Sequence, residues 1–241
     1  MIQLQGVSYS YGEQPALRNI DLEIPRGDAV AVIGPNASGK STLLRLLSAV
    51  VVPTSGCFLF EGEPITRQRM REQVFAKRFH QRVGLVFQNP EAQLFCPSVE
   101  EEVAFGPRQM GLPEKEVQAR TVDCLALMGI QGLADRPPWH VSGGEKRKVA
   151  VASVLALNPD VLVLDEPMNG LDPRTKRFLR DLIRQLHGAG KTILCATHDF
   201  PYVEGVFRTA VVLSEDHRVI RVGPYDEVLE DRSFLESNNI L

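Results

Sequence analysis

The chain has few cysteines, no long apolar run and little net charge, and each shortage excludes a class of protein. Its 241 residues include four cysteines without C-x-x-C spacing, at Cys57, Cys96, Cys124 and Cys195. This scatter favours reduced thiols over disulfides or a zinc site. No stretch approaches about 18 consecutive apolar residues, and the N-terminus lacks the charged and apolar regions of a secretion signal, so we expect a cytoplasmic protein without a membrane-spanning helix. A net charge of −3 argues against bulk nucleic-acid binding.

A glycine-rich segment at residues 34–41 is the first candidate site. Its sequence, GPNASGKS, fits the pattern G-x-x-x-x-G-K-[ST], in which backbone N–H groups surround phosphate oxygens. In that pattern Lys40 reaches the outer phosphates and the hydroxyl of Ser41 holds Mg²⁺. The apolar run 29–33 predicts a buried strand before the loop, and the leucines of 41–47 predict a buried helix after it. Strand, glycine loop and helix in this order predict a site for nucleotide phosphates.

The second candidate is a carboxylate pair at the end of another apolar run. Residues 161–164 read Val-Leu-Val-Leu, and Asp165 and Glu166 follow them directly. A phosphate loop needs an acidic partner for its metal, which Asp165 can supply through water, while Glu166 can orient or deprotonate an attacking water. Carboxylates after a strand also occur as simple strand-end caps. The carboxylate pair indicates a nucleotide site only in combination with Lys40.

The third candidate is Ser-Gly-Gly-Glu at residues 142–145, which has two compatible interpretations. As local structure it is a capping box, S-x-x-E, that starts a helix. A helix N-terminus with two glycines and the hydroxyl of Ser142 is also an anion site, because free N–H groups and the positive end of the helix dipole converge there. Since residues 34–41 already cover the phosphates from one side, we expect this segment to meet the γ-phosphate of a nucleotide held by another subunit.

These segments, in this order, resemble the nucleotide-binding subunit of an ABC (ATP-binding cassette) transporter over essentially the whole chain. Residues 34–42 resemble its Walker A loop, and residues 141–145 resemble its signature, usually written LSGGQ. Asp165 and Glu166 resemble its Walker B pair. Gln88 resembles the glutamine that touches Mg²⁺ and relays the nucleotide state to the membrane partner.

Three further residues match the same family. Tyr11 resembles the aromatic residue that stacks on adenine, with Tyr9 as the fallback on the same strand face. Asp172, in Gly-Leu-Asp, resembles the loop that crosses the dimer interface. His198 resembles the switch histidine that contacts the γ-phosphate.

The resemblance implies ATP hydrolysis with Mg²⁺. It implies catalytic roles for Glu166, His198 and Gln88. The metal ligands that it implies are Ser41, Gln88 and Asp165. The ATP-binding residues that it implies are Tyr11, Gly34, Pro35, Asn36, Ala37, Ser38, Gly39, Lys40, Ser41, Thr42, Ser142, Gly143, Gly144, Glu145 and Asp172.

The signature departs from the family pattern at two positions. Val141 replaces leucine, which keeps an apolar side chain. Glu145 replaces glutamine, which still completes the capping box but adds negative charge where a phosphate is expected to dock. We therefore expect function to survive with weaker closure of the dimer.

The pattern of apolar runs predicts an α/β fold of the P-loop NTPase type in a single domain spanning 1–241. A mainly parallel sheet is predicted from strands near 29–33, 83–87, 161–164, 192–196 and 209–213, and the resemblance implies that this core is RecA-like. Strand signals in 1–28 and 54–66 predict an antiparallel β subdomain, and residues 91–138 predict an α-helical subdomain inserted in the core. A basic cluster is interpreted as a solvated helix face, namely Arg67, Arg69, Arg71, Lys77, Arg78 and Arg82.

Two segments narrow the transporter class. Residues 86–95, VFQNPEAQLF, and 98–107, SVEEEVAFGP, resemble energy-coupling-factor ATPases that drive uptake of cobalt, nickel or vitamins. That resemblance implies a second ATPase subunit, as a homodimer or a sister chain, and a transmembrane coupling protein with a substrate-binding membrane protein. It places the chain at the cytoplasmic face of the membrane. Glu91 or Glu101 could pair with an arginine of the coupling protein, although both could equally be solvent-exposed glutamates.

Other functions stay open on the sequence alone. The chain could serve another class of ABC transporter, such as an amino-acid or lipoprotein system. Soluble ABC ATPases of DNA repair, chromosome maintenance or translation are disfavoured, because the coiled-coil insertions, zinc motifs or second cassette of those relatives do not fit here. A cassette that does not hydrolyse ATP is disfavoured by the presence of both Glu166 and His198.

Overall fold

Two sheets and eight α-helices make up the part of the chain that the structure, a computed structural model, describes: residues 1–200, 203 and 205–241. In chain order these elements are β1 (Ile2–Tyr11), β2 (Gln14–Ile24), β3 (Ala29–Ile33), α1 (Lys40–Leu47), β4 (Ser55–Phe60), β5 (Glu63–Pro64), α2 (Gln73–Arg82), β6 (Val83–Val86), α3 (Val99–Gln109), α4 (Glu114–Met128), α5 (Gly143–Leu155), β7 (Val161–Asp165), α6 (Pro173–Gly188), β8 (Thr192–Ala196), β9 (Thr209–Leu213), β10 (Val219–Pro224), α7 (Tyr225–Glu230) and α8 (Arg232–Ser237).

The larger sheet has the strand order β10-β9-β3-β8-β7-β6 and is parallel except for β10. Every residue of β3, β7 and β8 is buried, because helices and the smaller sheet cover both faces, as parallel sheets require. Since β3 pairs with β8 and β8 with β7, the three strands end at one edge. The loops that follow them therefore meet there, where α/β sheets bind ligands.

The smaller sheet is antiparallel, with the order β2-β1-β4-β5. Its apolar face forms one core cluster with α1, through Leu43 and Leu47, and with α2, through Phe79. The fold class predicted from sequence is confirmed, and each predicted core strand lies within one residue of its observed bounds. The helices α3, α4 and α5 pack on one another, and the first two lie within residues 91–138.

The basic cluster is solvent-exposed at Arg67, Arg71, Lys77 and Arg78, as the sequence predicts, whereas Arg69 and Arg82 are half-buried. Arg69 and Arg78 make ion pairs with Glu63, and Arg82 pairs with Asp160 at 2.7 Å. Arg69 and Arg78 also lie over the ring of Phe75, and Arg82 lies over Phe60. These guanidinium groups join α2 and the turn before it to Glu63 and Phe60 of the small sheet, and Arg82 also joins α2 to Asp160 before β7.

A buried carboxylate organises the chain before α3. Glu102 is 3% exposed and accepts hydrogen bonds from the backbone N–H groups of Phe95 and Cys96, at 2.8 and 2.7 Å. Burial, with the negative charge of Glu102 second, raises the pKa of the Cys96 thiol to about 11.

All four cysteines are free thiols. None of the helices in the described ranges combines the length and apolar composition that a bilayer span needs.

Candidate nucleotide-binding site

The loop between β3 and α1 is shaped by glycines whose conformations exclude a side chain. Gly34 has φ 152° and Gly39 has φ 104°. A Cβ on Gly34 would lie 2.5 Å from the carbonyl oxygen of Leu213, and one on Gly39 would lie 2.4 Å from that of Ala16. The loop is therefore pressed between both sheets directly before the N-terminus of α1, the end of a helix that favours anions.

Lys40 begins α1 and folds back over this loop. Its Nζ donates to the carbonyl oxygens of Gly34 at 2.8 Å and Pro35 at 2.9 Å. Burial lowers the pKa of the Lys40 ammonium, and the nearby carboxylates of Glu166 and Asp165 oppose that shift. The ammonium is thus already placed beside the phosphate-binding segment.

Ser41 and Asp165 form a pair that fits a magnesium ion. Ser41 Oγ donates to Asp165 Oδ1 at 3.0 Å. Adjacent ligands of an octahedral Mg²⁺ lie about 2.9 Å apart, because each is about 2.0–2.1 Å from the metal. Burial raises the pKa of the Asp165 carboxyl, a penalty that a divalent cation would offset. The two oxygens suit Mg²⁺ in both type and separation.

Glu166 stands at the strand edge in a conformation that glycine normally adopts. Its φ is 46°, and its backbone N–H donates to Ala196 O at 3.0 Å. The side chain is 10% exposed, and its Oε2 lies 2.8 Å from His198 Nδ1. Left-handed backbone at a non-glycine residue is frequently found at functional sites. The geometry points a buried carboxylate, steadied by an exposed imidazole, into the cleft.

One cleft of about 260 Å³ lies between the phosphate loop and Glu166. It is lined by residues 36–42, Gln88 and Glu166. Gln88 follows β6 and is exposed at this edge. The structure therefore brings together the phosphate loop, the acidic pair and the glutamine that the sequence singled out separately.

The predicted adenine platform lies on β1. Tyr11 is 44% exposed, and its ring meets that of Tyr9 edge-on at 4.9 Å. Its hydroxyl accepts a hydrogen bond from Arg45 Nη1 at 3.4 Å. Tyr11 thus presents a ring at the surface beside α1, with Tyr9 as its neighbour.

Residues 142–145 form the capping box that the sequence predicts. Ser142 Oγ accepts from Glu145 N at 3.4 Å, and Glu145 Oε2 accepts from both the N–H and the hydroxyl of Ser142 at 2.7 Å. The two hydrogen bonds that Glu145 accepts from Ser142, first from the hydroxyl and then from the backbone N–H, lower the pKa of the Glu145 carboxyl. The ionised carboxylate therefore engages the hydroxyl that would otherwise be free to donate to a phosphate.

The signature segment and Asp172 are neighbours, but they do not line the phosphate-loop cleft. Asp172 caps α6 by accepting from Arg174 N and Thr175 N. A Cβ on Gly144 would lie 3.3 Å from Thr175 Oγ1 and 3.8 Å from Asp172 Oδ2. Among the described residues the 260 Å³ cleft is lined by neither segment. The two predicted halves of the ATP site thus occupy separate places on one chain.

Sequence reasoning missed two contacts at this site. Arg147 is 3% exposed and donates to the carbonyl oxygens of Phe87 and Gln88; its spacing from Val151 and Val154, at i+4 and i+7, was the available sign that it lies on the buried face of α5. His217 Nδ1 lies 3.3 Å from Ser38 O. No local pattern relates a hairpin histidine to the phosphate loop.

The comparisons with known proteins agree with this geometry. Residues 17–169 match the family model that is described as ABC transporter. The nickel import ATP-binding protein LarO of Lactiplantibacillus plantarum is 47% identical over 219 residues, covering 91% of each chain. The energy-coupling factor transporter ATP-binding protein EcfA of Methanothermobacter thermautotrophicus is 40% identical, covering 98% of this chain and 74% of that protein. The solved structure of cbiO1 from Clostridium perfringens, part of the ABC transporter complex cbiONQ, is 35% identical with a TM-score of 0.82, covering 99% of this chain and 94% of that one.

Proposed function

The chain belongs to the ATP-binding proteins of ABC transporters and is a transport-coupled ATPase, and from this premise we propose that it energises an importer of the energy-coupling-factor type. The cargo we propose is a transition-metal ion, nickel or cobalt, with a vitamin as the alternative. The observation that carries the enzymatic part is the single cleft that joins Lys40, the Ser41–Asp165 pair and Glu166. We propose that 1–241 act as one nucleotide-binding domain with a helical subdomain near 91–138.

Hydrolysis in this proposal depends on positioning and charge. The loop N–H groups and Lys40 hold the phosphates. A Mg²⁺ ion bound by Ser41 and Asp165, with Gln88 at the edge of the cleft, would neutralise phosphate charge. Glu166 accepts the proton of the attacking water or orients it, and His198 donates toward the γ-phosphate.

A second copy completes each site. Because the signature segment lies outside the phosphate-loop cleft, Ser142 and Gly144 can meet a γ-phosphate only when it is held by another subunit. Two chains would then enclose two ATP molecules, each between the phosphate loop of one copy and the signature of the other. Asp172, beside the signature, would lie at the same interface.

The proposed cargo rests on the relatives and on residues 86–107. LarO, named as a nickel import protein, shares nearly half of its residues with this chain, and cbiO1 works within a transporter complex. In this proposal the substrate passes through the membrane partners and does not contact the ATPase.

The surface proposed to dock the transmembrane coupling protein is an aromatic patch made of Phe95, Glu101 and Phe105. Phe95 and Phe105 are 63% and 39% exposed, and their rings meet edge-on at 4.9 Å. Glu101 precedes Phe105 by one helical turn on α3 and shares its face. Glu91 is less suited to an external partner, because Lys146 already pairs with it at 2.5 Å. An apolar helix with a basic residue fits this patch.

Replacing Phe95 by aspartate should weaken docking by about 30-fold or more, because buried aromatic anchors carry much of an interface's free energy. The measurement is recovery of the membrane partner with the tagged variant from solubilised cells. Val74→Asp, at a residue that is 84% exposed on α2, is the matched control and should retain the partner. If Phe95→Asp and Glu101→Arg both recover as much membrane partner as the wild type does, the aromatic patch is not the docking surface.

Glu145→Gln should raise the ATPase rate by about two- to fivefold, the effect of one charge at a helix N-terminus. The substitution removes the charge that engages the Ser142 hydroxyl and keeps an oxygen that can accept from it. Phosphate release at saturating ATP is the measurement. Glu145→Ala separates charge from capping, since it also removes the cap and should lower the stability of the protein. An unchanged or lower rate in Glu145→Gln would reject the idea that the charge weakens closure.

The proposal as a whole is tested by purifying tagged protein with ATP and Mg²⁺ from mildly solubilised source cells. We expect a polytopic coupling protein and a small substrate-binding membrane protein to co-purify, and cells without the chain to accumulate less nickel or cobalt. Recovery of soluble partners alone would favour a non-transport ATPase. Normal metal accumulation with impaired uptake of one vitamin would select the alternative cargo.

A further inference from the structure

The loop that carries Gln88 is fastened to the signature helix α5. Arg147 Nη1 donates to Phe87 O at 2.7 Å, and its Nη2 donates to Gln88 O at 2.6 Å. Gln93 closes the same loop, because its Oε1 accepts from Phe87 N at 3.1 Å and its Nε2 donates to Ala150 O of α5 at 2.8 Å. Residues 87–93 and α5 are therefore joined at both ends of the loop.

Arg147 is the most buried polar side chain in this connection. It is 3% exposed, and burial lowers the pKa of its guanidinium. The two acceptors of its Nη atoms are backbone carbonyl oxygens, and its Nε lacks a partner among the described residues. The negative charge of Asp165 opposes that lowering of the pKa, but among the described residues no carboxylate hydrogen-bonds to the guanidinium. A buried cation bonded to carbonyl oxygens alone is a costly way to hold two segments together. The rigid fork of arginine, however, fixes the orientation of two carbonyls at once, which a single donor does not.

The two segments that Arg147 joins face different ATP molecules in the proposed dimer. Gln88 lines the phosphate-loop cleft of its own subunit. The N-terminus of α5, with Ser142 and Gly144, lies outside that cleft and would serve the nucleotide of the other subunit. Gln88 also borders a second cleft of about 580 Å³, which is lined by both Gly143 and Arg147. A path of two hydrogen bonds thus runs from one ATP site to the element that completes the other.

We propose that Arg147 is a positioning residue that couples the two ATP sites, an inference that rests on the proposed dimeric ATPase. Occupation of one cleft sets the backbone at Gln88, and the guanidinium carries that position to the start of α5. By linkage the effect is reciprocal, so each ATP favours binding of the other. Removing the fork separates the two events without removing a group that touches ATP.

The test compares ATP dependence of hydrolysis in wild type, Arg147→Met and Arg147→Lys. Rates are measured at a subunit concentration above which the rate per subunit no longer rises, so that dimer formation does not contribute. We expect a Hill coefficient approaching 2, the number of sites, in wild type and about 1 in Arg147→Met. The lysine variant keeps the charge without the fork and should be intermediate. Half-saturating ATP should rise by about two- to twelvefold in Arg147→Met, the square root of the usual coupling factor of about 5–150, because the second ATP no longer gains affinity from the first.

The matched control is Arg120→Met. Arg120 also donates to a backbone carbonyl, Ala156 O at 3.1 Å, at the opposite end of α5, and its loss should leave the Hill coefficient unchanged. If Arg147→Met does not fold, the Hill coefficient of Arg147→Lys, compared with that of the wild type, tests the coupling instead. An equal Hill coefficient in wild type and the Arg147 variants, or a wild-type dimer that hydrolyses ATP without cooperativity, would overturn the coupling. A wild-type chain that neither dimerises nor hydrolyses ATP would instead overturn the proposed function.

Discussion

Replacing Glu166 by glutamine is expected to slow ATP hydrolysis by about 10²–10⁴-fold, the usual contribution of a positioned base, while ATP binding persists. The side chain of Glu166, directly after β7, is 10% exposed, and its Oε2 lies 2.8 Å from His198 Nδ1. Glutamine keeps the size of the side chain and one acceptor oxygen, but it does not take a proton. ATP should therefore accumulate in the closed form of the proposed dimer. Phosphate release at saturating ATP and Mg²⁺ measures the first effect.

The single tryptophan gives a second measurement on the same variant. Trp139 is 58% exposed and stands three residues before Ser142, so closure around the signature should change its fluorescence. We expect the change to persist in Glu166→Gln with ATP and Mg²⁺ and to decay in wild type as ATP is consumed. Glu227→Gln, at an exposed residue of α7, is the control and should behave as wild type. A Glu166→Gln variant that retains more than about a tenth of the wild-type rate would contradict the role of this carboxylate.

Gly39→Ala is expected to lower the free energy of unfolding by about 2–4 kcal/mol and ATP affinity by roughly tenfold or more. The substitution places a Cβ 2.4 Å from the carbonyl oxygen of Ala16 on β2, at a φ of 104°. Because the opposing atom belongs to the backbone, no side-chain rotation relieves the clash. The phosphate loop must then move away from the small sheet and lose the alignment of its N–H groups.

Denaturant unfolding with and without ATP separates the two expected effects of Gly39→Ala. Gly62→Ala is the matched control, since Gly62 also has a positive φ, 77°, but nothing lies within 4 Å of its added Cβ. It should lose about 1–2 kcal/mol through backbone strain alone and bind ATP normally. Equal losses in the two variants would show that the contact with Ala16 does not shape the site.

The parts of this fold that follow from sequence are those encoded by short contiguous patterns. Residues 29–33, 161–165 and 192–196 are buried on both faces, so their uninterrupted apolar runs identify them without any partner. The capping box at Ser142 and Glu145 is equally local. Once three strands are parallel neighbours, the loops at their ends must converge, which explains why the candidate site could be assembled before its geometry was known.

The parts that sequence could not supply depend on long-range pairing. Arg82 appears as an ordinary helix cation until Asp160 is placed beside it. Arg147 lies between two lysines and gives no sign that its acceptors are carbonyls some sixty residues earlier. Likewise, only the packing of the β9–β10 hairpin brings His217 to the phosphate loop. The partners of these groups are properties of the folded topology.

The position of β3 in the large sheet also determines when the protein can first bind nucleotide during synthesis. Its neighbours are β8 and β9, and Ala29 pairs with Ile193, about 160 residues later in the chain. At roughly 5–20 residues per second, a ribosome needs on the order of ten to thirty seconds to deliver that partner. Until then the nascent chain carries the phosphate loop on an unpaired apolar strand. We therefore expect tight ATP binding only after β8 and β9 have been synthesised, and a polypeptide truncated before β8 should not bind ATP tightly.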